Sequence, residues 1–297
     1  MEIVFLGTSC MAPTKDRNHA GTLLTYNGEN ILFDCGEGMQ RQLKIANISM
    51  NKITKIIISH WHGDHVLGLP GLMQTMSGTD YHGTLKIYGP KGTKKSIEEL
   101  HKVFITDKMI DFEVHEIKDN QKIIDTENFE IHSYILDHGI ECYGFKIIEK
   151  DKRKINTHYL SKLGIPEGPI VGKLQLGEDV EYKGKKIHAK EATTIIPGRT
   201  LGIINDTAYC SNCIKIAKDC DVLISEAAYD SSLIEKATEY KHMTAKQAAE
   251  LASQNNVKKL ILTHYSQRYK NTDLILEDAK QIFEETIAAY DFMKVKM

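Results

Sequence analysis

The sequence contains no long hydrophobic run. Its 297 residues include no N-terminal apolar segment of the kind that forms a secretory signal, and no stretch approaches the roughly 18 apolar residues of a membrane span. Internal repeats and low-complexity tracts are also absent. We therefore expect no membrane association, and enough chain for one large domain or two small ones with a sizeable core.

Cysteines are few and scattered. They are Cys10, Cys35, Cys142, Cys210, Cys213 and Cys220. Six are too few for a disulfide scaffold of this size, so we expect a reducing, cytoplasmic location. Cys210 and Cys213 form a Cys-x-x-Cys pair, which invites a redox or zinc interpretation. Because neither a second pair nor a nearby His pair accompanies it, we favour free thiols near the start of a helix.

The chain also lacks a strong charge of either sign. A formal net charge of −2 and a pI near 6.7 do not indicate a nucleic-acid-binding protein. The local balance differs, since residues 146–190 contain eleven Lys or Arg and six Asp or Glu. Most such runs are solvated faces. Here periodicity is also weak, and residues 164–169 have turn chemistry. We interpret residues 150–195 as an arm rather than a second core.

What the sequence does contain is a dense group of histidines. His60, His62, Asp64 and His65 come just after the largely apolar run at residues 55–58, which predicts a short buried strand. Ligand sites in α/β sheets usually lie at such strand ends. Imidazole and carboxylate groups suit zinc, whereas packing them without a metal would bury several polar groups without partners. We therefore interpret this stretch as a metal-binding motif.

Three more predicted strands end in candidate ligands: His138 follows residues 129–136, Asp206 follows 201–204 and His264 follows 257–262. Seven ligand groups exceed what one zinc ion needs and fit two ions that share a carboxylate, for which Asp206 is the natural candidate. Two metal ions about 3.5–4 Å apart can hold a hydroxide and stabilise in-line attack on a phosphodiester or another ester. Asp34, after the predicted strand 31–33, can accept a hydrogen bond from a ligating histidine.

Helical patterns complete the predicted elements. We expect helices over residues 39–46, 96–104 and 244–253, and a last helix over about 273–289. Thr244 and Gln247 form the sequence signature of a capping box at the start of the third. Two β-rich halves of similar size suit a sandwich.

The motif His-x-His-x-Asp-His, with the downstream His138, Asp206 and His264, resembles that of the metallo-β-lactamase superfamily. Within it the chain is most similar to the tRNase Z family of endoribonucleases, which trim the 3′ end of precursor tRNA. The resemblance covers nearly the whole chain and includes residues 5–8, 13–18, 33–40, 69–72 and 263–269. The metal motif indicates only the superfamily, whereas the neighbourhoods of Arg17-Asn18 and of Ser266 to Tyr269 are much more specific.

This resemblance implies an α/β fold, namely a four-layer αβ/βα sandwich formed by a single domain over residues 1–297, with a protruding, flexible arm at 150–195. It implies two zinc ions per subunit. By resemblance, His60, His62 and His138 hold one ion, Asp64, His65 and His264 hold the other, and Asp206 bridges them. Asp64 would also accept a proton from the attacking water.

The resemblance extends to residues around the metals. His242 would protonate the leaving 3′ oxygen or steady the phosphate, and Glu226 would orient it; the alternative for His242 is a surface histidine at a helix start. Arg17, Asn18, Ser266 and Arg268 are expected to bind substrate. Two positions depart from the family pattern: Asn205 replaces a usual glycine and Ser225 replaces a usual histidine.

The arm is expected to bind precursor tRNA. Lys162, Gly168 and Pro169 resemble the exosite of this family, which holds the tRNA elbow away from the metals, and a homodimer would let one subunit's arm serve the other's active site. Positive charge suffices to hold phosphates without reading sequence. Two alternatives stay open. One is a small-molecule metallo-hydrolase acting on thioesters, sulfates or cyclic phosphodiesters, and the other is an RNA-binding or structural zinc protein without catalysis.

Overall fold

The structure, a computed structural model, describes residues 1–104 and 110–297; residues 105–109 of the predicted domain lie outside this description. The chain divides into two compact units. Unit 1 comprises residues 1–125, 131–147 and 200–297, and unit 2 comprises residues 126–130 and 148–199.

Twenty strands occur in the described residues. In chain order they are β1 (Glu2–Gly7), β2 (Ser9–Cys10), β3 (Gly21–Tyr26), β4 (Glu29–Phe33), β5 (Lys55–Ile57), β6 (Leu85–Gly89), β7 (Phe112–Glu116), β8 (Gln121–Asp125), β9 (Phe129–Asp137), β10 (Glu141–Glu149), β11 (Lys152–Ile155), β12 (Val180–Tyr182), β13 (Lys185–Ile187), β14 (Thr193–Ile196), β15 (Thr200–Ile204), β16 (Val222–Glu226), β17 (Leu260–Thr263), β18 (Tyr265–Ser266), β19 (Thr286–Ala288) and β20 (Lys294–Lys296).

Eleven α-helices occur in the same residues. They are α1 (Met39–Ile45), α2 (Gly63–Val66), α3 (Leu69–Gly78), α4 (Thr93–Val103), α5 (Thr157–Lys162), α6 (Pro169–Gln175), α7 (Ala189–Ala192), α8 (Ser211–Ala217), α9 (Ile234–Glu239), α10 (Ala245–Gln254) and α11 (Asp273–Lys280). Two 3₁₀ turns, Met50–Lys52 and Ser231–Leu233, complete the described elements. None of these helices is long and apolar enough to cross a membrane.

Two seven-stranded sheets organise the described part of the chain. The first has the order β20-β1-β3-β4-β5-β6-β7 and is antiparallel from β20 to β4 and parallel from β4 to β7. The second has the order β19-β17-β16-β15-β10-β9-β8 and is parallel from β15 to β19. Neighbouring parallel strands share one carboxyl edge, so the loops that follow them lie side by side.

Apolar layers hold the helices onto the sheets. Leu6 and Ile56 of the first sheet pack with Met39, Leu72 and Ile97 of helices α1, α3 and α4. A second buried cluster joins helices α8, α10 and α11 to strands β16 and β17. Between the sheets, the rings of Phe33 and Phe145 lie 5.6 Å apart. The order helix, sheet, sheet, helix confirms the predicted four-layer αβ/βα sandwich.

The last helix is shorter than predicted. We expected a helix over 273–289, but α11 ends at Lys280 and residues 286–288 form the strand β19. Thr286 pairs with Leu260 of β17, which places β19 at the edge of the second sheet. The prediction fails because pairing with a distant strand outweighs the local helical pattern.

Unit 2 has a hydrophobic core of its own. Its buried members are Leu160, Ile165, Leu174, Val180, Ile187, Ala189 and Ala192. Two small hairpins, β11 with β14 and β12 with β13, accompany helices α5, α6 and α7. The interpretation of residues 150–195 as an arm rather than a second core is therefore wrong in its second part, because apolar residues scattered between turns pack together without a readable period. The predicted flexibility of this segment stays a prediction.

Candidate metal centre

Three histidines converge after strands β5 and β9. His60 and His62 lie in the loop that follows β5, and His138 directly follows β9. The Nδ1 atom of His62 lies 3.1 Å from Nε2 of His60 and 3.2 Å from Nε2 of His138. The three ligand atoms all lie within 4.8 Å of one another, so this group can hold a metal ion.

A second group lies beside the first. It consists of Asp64 and His65 on helix α2, Asp206 after β15 and His264 between β17 and β18. The Nε2 atom of His65 lies 3.4 Å from Oδ2 of Asp64, and that of His264 lies 3.6 Å from the same oxygen. These four groups also lie within 4.8 Å of one another and can hold a metal ion.

Asp206 lies between the two groups. Its Oδ2 atom is 3.4 Å from Nε2 of His65, 3.6 Å from Nε2 of His138 and 3.8 Å from Nε2 of His60. Burial raises the pKa of Asp206, but the charges of His264 and His65 outweigh burial and hold that pKa well below its usual range. The structure thus brings all seven predicted ligands together, with the ionised carboxylate of Asp206 between the two groups.

Several buried polar atoms of this centre lack hydrogen-bond partners in the part of the chain that the structure describes, which bears on whether the residues can bind a metal ion. The Nε2 atom of His65, Oδ1 of Asp206 and both ring nitrogens of His264 are buried and have no hydrogen-bond partner among the described residues. Leaving such atoms unpartnered costs about 1–3 kcal/mol each. A cation bound by their lone pairs removes that cost, and the donor set of imidazole and carboxylate is one that divalent metals accept. The residues therefore fit a metal ion.

Asp34 orients His65 of the second ligand group through the ring nitrogen that faces away from the other ligands. It accepts hydrogen bonds from the backbone N–H of Ser59 at 2.8 Å, from the hydroxyl of Ser59 at 2.9 Å and from Nδ1 of His65 at 2.8 Å. This contact leaves Nε2 of His65 facing the ligands, and it is the hydrogen bond expected from the sequence. The amide of Asn205, one of the two departures from the family pattern, donates to Asp34 at 3.4 Å.

Backbone geometry also positions the centre. Asp34 and His264 have φ angles of 58° and 62°, in the left-handed region that few residues other than glycine adopt. In both cases the strand ends abruptly and the chain turns. Tyr265 and Ser266 of β18 then pair with Ser9 and Cys10 of β2, which fixes the segment beyond His264. The backbone carbonyl of Lys241 accepts a hydrogen bond from Nδ1 of His138 at 3.0 Å and leaves Nε2 facing the ligands.

His242 and Glu226 form a buried ion pair next to the ligands. Nδ1 of His242 donates to Oε2 of Glu226 at 3.0 Å, and the backbone N–H of Thr207 donates to Oε1 at 2.6 Å. Burial lowers the pKa of His242, but the Glu226 carboxylate outweighs it and raises that pKa to about 12. The His242 side chain is 10% exposed, so the alternative of a surface histidine is wrong.

The helix after His242 starts as predicted. Thr244 and Gln247 form the expected capping box of α10. The second family departure, Ser225, is fully buried and donates its hydroxyl to the backbone carbonyl of Glu226 at 3.0 Å.

A cleft of about 930 Å³ opens onto the metal ligands Asp64, His138 and Asp206. Of the predicted substrate-binding residues, Ser266 and Arg268 line this cleft. Arg17 is buried instead, and its guanidinium donates to the backbone carbonyl of Tyr269 at 2.5 Å. The Asn18 amide donates to the backbone carbonyl of Glu37 at 2.8 Å. Both residues support loops, and their direct contact with substrate stays a prediction.

Other cleft residues escaped sequence analysis. They are Cys10, Met11, Tyr229, Lys236, Tyr240 and Gln267, among others. The Sγ atom of Cys10 lies 4.0 Å from Nε2 of His242, and the backbone N–H of Met11 donates to Asp64 at 2.9 Å. No spacing rule singles these residues out: Cys10, Met11 and Gln267 lie in or beside the paired strands β2 and β18, whereas Tyr229, Lys236 and Tyr240 lie between β16 and α10.

The remaining predicted residues, Lys162, Gly168 and Pro169, lie in unit 2 and are exposed. Gly168 has a φ of 149°, and Pro169 begins helix α6. Their role with tRNA stays a prediction.

Comparisons with known proteins agree with this geometry. Residues 1–158 match the family described as anti-Pycsar protein Apyc1. Over its full length the chain is similar to Ribonuclease Z of Methanothermobacter thermautotrophicus, with 38% identity over 299 residues that cover 100% of this chain and 97% of that protein. It is 39% identical over 299 residues to Ribonuclease Z of Bacillus cereus, covering 98% and 97%.

Solved structures give the same result at the level of the fold. Human tRNase Z, short form, superimposes with a TM-score of 0.74 at 29% identity, covering 100% of this chain and 99% of that one. The metallo-beta-lactamase fold protein YhfI of Bacillus subtilis superimposes with a TM-score of 0.72 at 20% identity, covering 99% and 98%. The second likeness supports the fold alone.

Proposed function

The chain belongs to the ribonuclease Z family, and on that premise we propose that it is a metal-dependent endoribonuclease that removes the 3′ trailer from precursor tRNA. The observation that carries this proposal is the convergence of six ligand groups around a seventh, Asp206, next to an open cleft. Such a centre suits hydrolysis of a phosphodiester, whose cut near the discriminator base would leave a 3′-hydroxyl on the tRNA.

The proposed cofactor is a pair of zinc ions per subunit. His60, His62 and His138 would hold one ion, Asp64, His65 and His264 would hold the other, and Asp206 would bridge them. When bound, such ions lower the pKa of water and stabilise the charge that develops on the phosphate. The same ligands also accept manganese or iron, so zinc is the part of this proposal that metal analysis must test.

Two side chains would handle protons. Asp64 is held by the Met11 N–H and lines the cleft, where it would accept a proton from the attacking water. His242 also lines the cleft, and its raised pKa keeps the imidazole protonated at neutral pH. It would therefore donate a proton to the leaving 3′ oxygen, with Glu226 holding the ring in place.

Unit 2 would bind the body of the tRNA. Eight of its lysines are exposed: Lys152, Lys154, Lys162, Lys173, Lys183, Lys185, Lys186 and Lys190. They can hold phosphates in a salt-dependent way without reading sequence, and the turn at Gly168 and Pro169 would present backbone to the elbow. A homodimer in which unit 2 of one subunit serves the other's cleft belongs to this proposal. So does a cytoplasmic location, which the six free cysteines support.

The decisive experiment is incubation of the metal-loaded chain with a 3′-extended precursor tRNA, followed by mapping of the cut. We expect one cut next to the discriminator base and none with Asp64→Ala. Absence of any cut by wild type, with RNA affinity retained by Asp64→Ala, would favour an RNA-binding protein without catalysis.

The second candidate is a small-molecule metallo-hydrolase, because the same seven ligands and the same open cleft would also serve a small ester or phosphodiester. Removing positive charge from unit 2 separates the tRNA-processing enzyme from the small-molecule hydrolase. Replacing Lys183, Lys185 and Lys186 by Ala should raise the KM for precursor tRNA and leave the KM for a small phosphodiester unchanged. The matched control replaces three exposed lysines of α4, namely Lys94, Lys95 and Lys102. Equal losses on both substrates would contradict a tRNA-binding role for unit 2.

A further inference from the structure

Two cysteine thiols lie side by side next to the metal centre and take no part in the proposed function. Cys210 precedes helix α8 and Cys213 lies within its first turn. Their sulfur atoms are 3.6 Å apart. Cys210 is half-buried, whereas Cys213 is fully buried behind it. Cys210 is therefore the more accessible residue of the pair, and the Cys213 sulfur lies within contact distance of the Cys210 sulfur.

The surroundings of the two sulfurs give them different reactivity. The Cys213 thiol donates a hydrogen bond to the Cys210 sulfur, and so do the backbone N–H groups of Asn212 and Cys213. Together these hydrogen bonds outweigh the effect of burial and lower the pKa of Cys210 to about 5. The thiolate is the reactive form of cysteine, so Cys210 is the nucleophile at neutral pH. Cys213 is held as a protonated thiol, since the neighbouring Cys210 and burial raise its pKa.

We propose that Cys210 and Cys213 are a reversible thiol–disulfide modification site whose oxidant is a peroxide. The Cys210 thiolate attacks one oxygen of the peroxide, the O–O bond breaks, and a proton from solvent completes the departing water when the oxidant is hydrogen peroxide. Cys210 is then a sulfenic acid. The Cys213 sulfur attacks the Cys210 sulfur, the S–O bond breaks, and the second water leaves with the Cys213 proton. The two thiols lose two electrons in total, and the peroxide gains them.

Thr207 connects this pair to the metal ligands. Its hydroxyl lies 4.0 Å from the Cys210 sulfur and accepts a hydrogen bond from the backbone N–H of Asp137 at 3.0 Å. Thr207 directly follows Asp206, and Asp137 directly precedes His138. A disulfide requires the sulfurs to approach from 3.6 Å to about 2.0 Å, so at least one of them must move, and we expect the less buried Cys210 sulfur to move relative to Thr207. Oxidation is therefore expected to displace the two ligands that this hydrogen bond holds together.

The test uses the full-length, metal-loaded chain, treated with hydrogen peroxide and then digested with trypsin. The peptide over residues 200–215 contains Cys210 and Cys213 and no other cysteine. We expect it to lose two hydrogen atoms in mass and to regain them with dithiothreitol. Cys210→Ser and Cys213→Ser should abolish this change. The matched control is Cys220→Ser, which alters a buried thiol outside the pair and should preserve it.

Oxidised wild type should also lose about 10- to 100-fold in metal affinity, the usual effect of disturbing contacts around a ligand, and reduction should restore it. The variant with both cysteines replaced by Ser should show no such loss. The proposal is overturned if Cys210 gains oxygen atoms while the peptide keeps its hydrogens, since Cys213 would then not capture the sulfenic acid. It is also overturned if the double variant loses metal equally. The mass readout does not depend on the proposed ribonuclease activity.

Discussion

Replacement of Asp34 by Asn tests how the second ligand group is oriented. Asp34 accepts three hydrogen bonds of 2.8–2.9 Å from Ser59 and His65, all buried. Asn has the same shape and also tolerates the left-handed backbone at this position, so the change removes only charge and acceptor capacity. At least one donor then faces the amide NH₂ group instead of an oxygen.

The magnitude follows from these contacts. A hydrogen bond to a charged group contributes about 1.5–3 kcal/mol, and losing the one from His65 frees its ring to adopt the other tautomer. That tautomer carries the proton on Nε2, where the lone pair for the metal is needed. We expect metal affinity to fall about 10- to 100-fold, with the fold retained.

The assay is competition for metal between the folded variant and a chromogenic chelator. The matched control is Asp179→Asn in unit 2, because Asp179 likewise accepts hydrogen bonds from a histidine Nδ1, of His188 at 2.7 Å, and from the backbone N–H of Ala189 at 3.0 Å. The control should bind metal like wild type. Wild-type metal affinity in a folded Asp34→Asn variant would refute the role assigned to Asp34.

Three further outcomes are expected. Elemental analysis should give two metal ions per chain, and one tightly held ion per chain would contradict the bridging role of Asp206. Removal of the metal by a chelator should abolish phosphodiester cleavage. It should also lower the free energy of unfolding, because an ion bound only by the folded chain stabilises the folded state. Glu226→Gln removes the carboxylate that raises the pKa of His242 to about 12, so the pKa of His242 measured by NMR in the metal-free chain should fall. As pH rises, the variant should then lose cleavage activity at a lower pH than wild type does. An unchanged pKa of His242 would exclude this ion pair. Leu174→Asp places a carboxylate in the core of unit 2, whereas the control Lys173→Asp places it at the exposed neighbouring position. Only Leu174→Asp should unfold unit 2 and weaken tRNA binding, and both variants should keep their metal content. Equal tRNA binding by the two variants would show that this core is not required.

The metal ligands could be predicted from the sequence because each one is marked by the residues next to it in the chain. Each ligand directly follows an apolar run, and parallel strands place the residues beyond their carboxyl ends along one edge. Asp206 and His264 follow parallel strands of the second sheet, whereas His138 after β9 and the His60–His65 motif after β5 were grouped with them because each also follows an apolar run. Asp34 was found for the same reason, since it ends β4 next to β5.

The features that sequence analysis missed depend on contacts between distant segments. Residues 286–288 become a strand because β17 offers an unpaired edge, which the local sequence does not show. The core of unit 2 forms from residues such as Leu160 and Ile187, whose spacing matches neither a helix nor a strand period. Cys10 reaches His242 only because β2 pairs with a strand near the other end of the chain.

The pairing of β2 with β18 also has a consequence for how the protein is made. Ribosomes add residues from the N-terminus, so the three histidines of the first ligand group exist once residue 138 has been added, whereas the second group waits for His264. The strand that steadies His264 must then meet a partner made at the start of translation. A nascent chain can therefore offer one half of the centre long before the other, which is complete only once synthesis has passed His264 and the strand after it.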